Sequence, residues 1–169
     1  MHFIRTFLKK HRAILIALCA IGAFWAYFSA RYKIGIAYDA QLPCIDAKLV
    51  IIDKWDTDVP VGSLATFRMN KENEFFPKGI MWTKIVAAKQ GMEVDVQFDK
   101  VIVDGKKEHN IGFEYLLKHT SQTESDVIRK LTVAENSYFM VGETITSYDS
   151  RYWGEVDQKD IIGKAYVVF

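Results

Sequence analysis

Residues 13–30, AILIALCAIGAFWAYFSA, run for 18 positions without a charge, and this run constrains the chain more than any other feature. A hydrocarbon core about 30 Å thick is crossed by roughly 17–25 apolar helical residues, because a helix satisfies its backbone amides internally. The run therefore reads as one transmembrane helix, with Trp25 and Tyr27 near its outer end as interfacial aromatics. Phe28-Ser29-Ala30 would suit a cleavable signal peptide, but the stretch exceeds the roughly 7–15 residues of such a core, which favours a retained anchor. Arg5, Lys9, Lys10 and Arg12 precede the span, against Arg31 and Lys33 after it. Basic residues stay on the cytoplasmic side, so the expectation is a cytoplasmic segment over 1–12, a span over 13–30 and an exported domain over 31–169. Cys19 lies in the span and Cys44 beyond it, placements that suit a disulfide poorly, so Cys44 is expected as a free thiol.

Composition removes several function classes. The net charge is +1 and the positive charges that cluster lie beside the apolar run, so no basic stripe is available for a nucleic acid and none is expected as a partner. His2, His11, His109 and His119 form no ligand spacing and are expected at solvated positions. No glycine-rich phosphate loop occurs. No metal and no cofactor are expected. Short alternating or β-branched runs over 48–53, 63–69, 81–88, 93–98 and 100–103 predict strands, with Asp104-Gly105 as a turn, and 138–141 and 161–169 predict two more. Residues 113–130 are polar, without alternation or a helical stripe, and read as an inserted, partly helical lobe. Pro43, Pro60 and Pro77 fall in loops. The whole predicts a mainly β domain of antiparallel sheet behind one helix.

Two segments carry chemistry. In 142–165, GETITSYDSRYWGEVDQKDIIGKA, the residues Ser147, Asp149, Ser150 and Arg151 stand before Tyr152, Trp153 and Gly154 at offsets that no secondary-structure period requires. In 84–94, KIVAAKQGMEV, Lys84 follows the strand-like Met81-Trp82-Thr83. Burial disfavours the charged form of an amine, so a lysine enclosed in an apolar strand is a candidate base, whereas on residue type alone a solvated strand lysine is commoner. In order and content the two segments resemble type I signal peptidases. The run SYDSRYWG is similar to the C-terminal signature of that family, and 84–92 resembles its box Lys-Arg-Val-x-Gly-x-Pro-Gly-Asp. Lys84, Val86 and Gly91 agree with the box, while Ile85, Ala88, Gln90 and Met92 depart from it. Residues 60–68, PVGSLATFR, resemble the strand that leads toward the box. Glu143 is one methylene longer than the aspartate expected after Gly142.

A hydrolase of this family also needs a nucleophile soon after the anchor, where its members have Ser-Met-x-Pro or, in the conjugation branch, Ser-Leu-Pro-Gly. No serine stands between Ser29 and Ser63. Three registers compete: Cys44 followed by Ile45-Asp46-Ala47 and an apolar strand, Gln41 before Leu42-Pro43, and Ala40 in place of a lost serine. Cys44 offers a competent nucleophile, since a thiol with an ordinary pKa of about 8.5 is partly ionised near neutrality and a neighbouring amine can take its proton. The resemblance implies Cys44 and Lys84 as the catalytic pair, with Ser147 hydrogen-bonding the lysine and an Asp149–Arg151 ion pair bracing the site. It implies a signal-peptidase-like fold of coiled antiparallel sheets with one transmembrane helix, single-pass in a bacterial inner membrane with the catalytic domain in the periplasm. The partners would be exported precursors or a pilin precursor, together with the lipid bilayer, and the reaction leader removal through an acyl-enzyme. The alternative is an inactive relative that holds a pilin or assembly partner.

Overall fold

The computed structural model describes residues 11–36, 44–72, 76–113 and 117–169. Helix α1 (Arg12–Arg31) covers the apolar run, has a mean hydropathy of 2.0 and buries none of its residues against the rest of the chain, so its apolar side chains need a solvent other than water. It passes directly into β1 (Tyr32–Ile36), the Tyr32 N–H donating to the Phe28 carbonyl. Ten further strands follow among the described residues: β2 (Leu49–Asp53), β3 (Leu64–Arg68), β4 (Met81–Lys89), β5 (Glu93–Val96), β6 (Val101–Val103), β7 (Lys107–His109), β8 (Arg129–Thr132), β9 (Ser137–Val141), β10 (Val156–Asp157) and β11 (Ile161–Val167). Two single-turn helices, α2 (Glu124–Val127) and α3 (Ser150–Trp153), interrupt them.

All strand pairs are antiparallel. One sheet has seven strands in the order β1-β2-β11-β3-β4-β9-β10, and the other has four, β7-β6-β5-β8. Strand β9 shows how they meet. Phe139 and Val141 enter one core with Val94, Val96, Val101 and Val103 of the smaller sheet, while Tyr138 and Met140 enter a second core with Phe67 and Met69. Two faces covered in this way leave all five residues of β9 buried. The neighbouring β4 shifts register between Val86 and Ala88, which sends Val86 into the second core and both Ala87 and Ala88 into the first. The domain is therefore mainly β, as its alternating runs predict.

The end of α1 is fastened to the sheet. The Arg31 guanidinium donates to the Asp53 carboxylate from Nε at 3.0 and 3.1 Å and from Nη2 at 2.6 Å. The Lys54 N–H donates to the Arg31 carbonyl at 2.8 Å, and Trp55 stands edge-on to Tyr27 with centroids 5.5 Å apart. Strand β1 is an addition to the expectation, which has no strand before residue 48. It lies at a sheet edge with Ile34 and Ile36 exposed, so it carries no inside-outside pattern for a sequence reading to find. Within 113–130, α2 begins where the Asp126 carboxylate accepts from the Thr123 N–H and hydroxyl at 2.8 and 2.7 Å, and β8, which starts at Arg129, pairs with β5.

Strand β11 shifts register between Ile161 and Gly163, and a Cβ on Gly163 would lie 2.1 Å from the Asp53 carbonyl oxygen. Gly163→Ala is expected to destabilise the domain by about 1–3 kcal/mol through overpacking, measured by thermal unfolding of the detergent-solubilised protein. A melting curve equal to that of the parent would contradict the close approach.

Candidate active site

Strand β4 carries Lys84 opposite Ala65 of β3, on the face that buries Val86, and the lysine is 1% exposed. Its Nζ lies 5.3 Å from the centroid of the Trp82 ring and donates to Ser147 Oγ at 2.8 Å. Ser147 Oγ in turn donates to Asp149 Oδ2 at 2.9 Å. A hydroxyl has one proton. With that proton committed to the carboxylate, Oγ faces the lysine as an acceptor, and this fixes how the amine is turned.

The carboxylate that begins this relay is itself over-determined. Asp149 Oδ1 accepts from Arg151 Nε at 2.7 Å and from the Arg151 N–H at 3.2 Å, which caps α3, and Oδ2 accepts from Arg151 Nη2 and the Gly142 N–H, each at 2.9 Å. Arg151 also donates from Nη1 to the carbonyls of Ile111 and Gly112 at 2.7 and 2.9 Å, and from Nη2 to the Ser147 carbonyl at 3.0 Å. All five guanidinium N–H groups thus have acceptors, the condition under which a wholly buried ion pair is tolerated. Burial alone would push the Asp149 carboxyl up, but the Arg151 guanidinium, aided by Lys84 and the Gly142 N–H, holds it below the usual carboxylate range. Burial likewise opposes the charge of Arg151, and Asp149 raises its pKa in spite of it.

The remaining letters of SYDSRYWG are structural. Ser150 Oγ accepts from the Met140 N–H at 2.9 Å, tying α3 to β9. Tyr152 packs on Tyr148 with centroids 5.3 Å apart, and Trp153 packs on Phe67 and Trp82 at 5.9 and 6.0 Å, which holds the segment against β3 and β4 beside Lys84. Gly154 has φ +86°, a conformation that glycine adopts without strain.

Cys44 is a free, half-buried thiol five residues before β2 begins at Leu49. Its carbonyl accepts from the Glu143 N–H at 2.8 Å. A Cβ placed on Gly142 would lie 1.9 Å from Ser147 Oγ and 2.7 Å from the Cys44 carbonyl oxygen, so the cysteine and the serine that binds Lys84 adjoin the same point. The fold thus brings Cys44, Lys84, Ser147, Asp149 and Arg151 into one neighbourhood. The competing registers at Ala40 and at Gln41-Leu42-Pro43 lie outside the described residues.

Some contributors escape a sequence reading. Arg129 donates to the carbonyls of Ser150 and Arg151, each at 2.9 Å, and so closes the far end of α3, but an arginine in a polar stretch carries no signal of that. Gly142 was legible as part of the signature, though not as the point of contact with Cys44. His109 differs from its solvated expectation: it is half-buried on β7, its Nε2 has no partner, and burial followed by the charge of Lys107 pushes its pKa down.

Comparison with known proteins adds a family. The family model described as signal peptidase, peptidase S26, matches residues 5–169. Among solved structures, a signal peptidase I from Enterococcus faecalis V583 is 21% identical, with a TM-score of 0.42 over 63% of this chain and 95% of that one. No curated protein matches.

Two outcomes test the geometry. Gly142→Ala must part Ser147 from the Cys44 carbonyl, and a displacement approaching 1 Å is expected to lower any activity of the site by about 100-fold. Activity within twofold of the parent would remove that contact from the mechanism. Because the Asp149 carboxyl is depressed in the folded protein, its stabilising contribution is complete above its unfolded value, near pH 4, and is lost as pH falls through the lower folded value. Asp149→Asn is expected to lower stability at neutral pH by about 3–5 kcal/mol, the cost of breaking a buried pair, and to flatten the acid limb of stability below about pH 4. Unfolding curves from pH 2 to pH 7 measure both.

Proposed function

The chain belongs to the signal peptidase family, peptidase S26, and from that premise we propose that it is a membrane-anchored endopeptidase that removes leader segments from exported precursors with Cys44 as nucleophile and Lys84 as general base. Family membership makes it a peptidase of the signal-peptide-cleaving kind, and α1 gives it a helix long and apolar enough to anchor it in a membrane. The observation that carries the finer reading is the setting of Lys84: an amine buried at 1% exposure and oriented by Ser147, whose hydroxyl crowds the same glycine, Gly142, that the Cys44 carbonyl approaches. In this reading the residues before α1 stay in the cytoplasm, and 31–169 form the peptidase domain on the periplasmic face of a bacterial inner membrane.

The steps follow from these groups. Unprotonated Lys84 takes the proton of the Cys44 thiol as Sγ attacks the scissile carbonyl carbon. The oxyanion that forms is met by backbone N–H groups, that of Cys44 being the nearest by construction. As the intermediate collapses, the C–N bond breaks, the Lys84 ammonium returns its proton to the departing amine of the mature chain, and the leader remains as a thioester on Cys44. Lys84 then takes a proton from water, the hydroxide attacks the thioester carbonyl, and the leader leaves with a free carboxylate while the thiol regains its proton. Where the pilin rather than the leader is the acyl part, the C–N bond that breaks releases a C-terminal segment, and attack of the pilin's own N-terminal amine on the thioester in place of water would join its chain ends and free the thiol, the variant that suits a pilin precursor of a conjugation system.

Cleavage of a leader peptide with alanine before the scissile bond, assayed in membranes by mass spectrometry, tests the pair. Cys44→Ala and Lys84→Ala are each expected to lower cleavage by at least about 1,000-fold, because members of a catalytic unit fail together. Cleavage by both variants at the parental rate refutes the dyad. An inert parent that nonetheless retains the peptide or a pilin precursor favours a binding protein built on a peptidase shell.

A further inference from the structure

The turn that braces Lys84 also grips the loop that carries Cys44, and Glu143 makes two of the bonds. The Glu143 N–H donates to the Cys44 carbonyl at 2.8 Å, and Glu143 Oε2 accepts from the Asp46 N–H, also at 2.8 Å. Main chain and side chain of Glu143 thus hold the loop on both sides of Ile45, whose own side chain is buried with Val50, Ile52 and Ala165. The loop gains regular strand pairing only from Leu49 onward, so these two bonds act where the sheet does not. A bond from a main-chain N–H to a carboxylate is charge-assisted and stronger than one between neutral groups. The side chain is also one methylene longer than the aspartate that the signature would place here, and that length serves the reach across to Asp46.

We propose that Glu143 is a positioning residue that sets the Cys44 loop, and with it the thiol, against Lys84. Its carboxylate touches neither the thiol nor the amine and acts through the backbone of residues 44–46. The role assigned to it rests on the Cys44–Lys84 reading above, whereas the grip on Asp46 does not, and two measurements keep them apart. Both use the full chain in detergent with Cys19→Ala, so that Cys44 is the one thiol.

The first measurement is amide hydrogen exchange over residues 44–48. Glu143→Ala is expected to speed exchange of the Asp46 N–H by at least about tenfold, and Glu143→Gln, whose amide oxygen still accepts, to restore most of the protection. The second is the rate of Cys44 alkylation by iodoacetamide, read as a double-mutant cycle. Lys84→Ala is expected to slow alkylation about tenfold when Glu143 is intact and by less than about twofold in the Glu143→Ala background, since a loop no longer held cannot present its thiol to the amine. Exchange that is unchanged in Glu143→Ala, or a Lys84 effect of the same size in both backgrounds, overturns the proposal. If Lys84→Ala leaves alkylation unchanged with Glu143 intact while the Asp46 amide still loses protection, the dyad fails, and with it the purpose given to Glu143, though the grip stands.

Discussion

The site depends on a charge that has been taken out of water. Asp149 and Arg151 are each wholly buried, and an isolated carboxylate or guanidinium in that position would cost several kcal/mol. The cost is offset because every guanidinium N–H finds an acceptor and the carboxylate collects donors from Arg151, Gly142 and Ser147. Those partners come from Gly142 just past β9, from Ser147 in the turn that follows, from α3 and from the loop at Ile111 and Gly112. Satisfying one ion pair therefore locks four pieces of chain into one arrangement, and the lysine relay is a by-product of that lock. Ser147 can offer a lone pair to Lys84 because its only proton is already held by Asp149.

The same compactness explains why glycine stands at 142. The chain leaving β9 must turn under the Ser147 hydroxyl while its N–H reaches Asp149 and its next N–H reaches Cys44. A side chain there would fill the space that lets the Cys44 loop approach the relay. The Cys44 loop, Lys84 and the ion pair are thus coupled by backbone contacts as much as by side-chain chemistry, and this is why Glu143, an exposed residue in a turn, bears on a buried site.

Much of this was legible in the sequence, for identifiable reasons. Strands β2, β3, β4, β9 and β11 are half or wholly buried, and burial writes alternation or continuous apolar runs into the chain. The edge strands β1, β7 and β8 and the two-residue β10 bury few of their residues and were not read. Ser147, Asp149 and Arg151 could be singled out because a buried polar cluster needs fixed residue types at fixed offsets, and the fold brings them together with Lys84. Their contacts could not be read, because Arg151 spends two of its donors on main-chain carbonyls at 111 and 112, about forty residues away, and carbonyls have no letter in a sequence. Cys44 was legible only as a thiol in a suitable place, and its link to the turn runs through its own carbonyl, which every residue has.

The way the anchor joins the sheet bears on where a substrate can be met. Strand β1 leaves α1 without a linker and pairs with β2 so that Tyr32 lies opposite Asp53 and Ile36 opposite Leu49. The bilayer end of the sheet is therefore the Asp53 end, held by Arg31, and the loop bearing Cys44 enters at the other end of β2. At about 3.3 Å per residue the four steps from Asp53 to Leu49 separate these ends by about 13 Å along the strand. A flexible tether would let that separation vary, whereas the Arg31–Asp53 bonds and the Lys54 N–H on the Arg31 carbonyl fix it. On the proposed function, a precursor whose leader lies in the same membrane must extend past the apolar layer before its scissile bond reaches Cys44. On that function the distance of the bond from the apolar segment becomes a selection criterion set by the rigid join of α1 to the sheet.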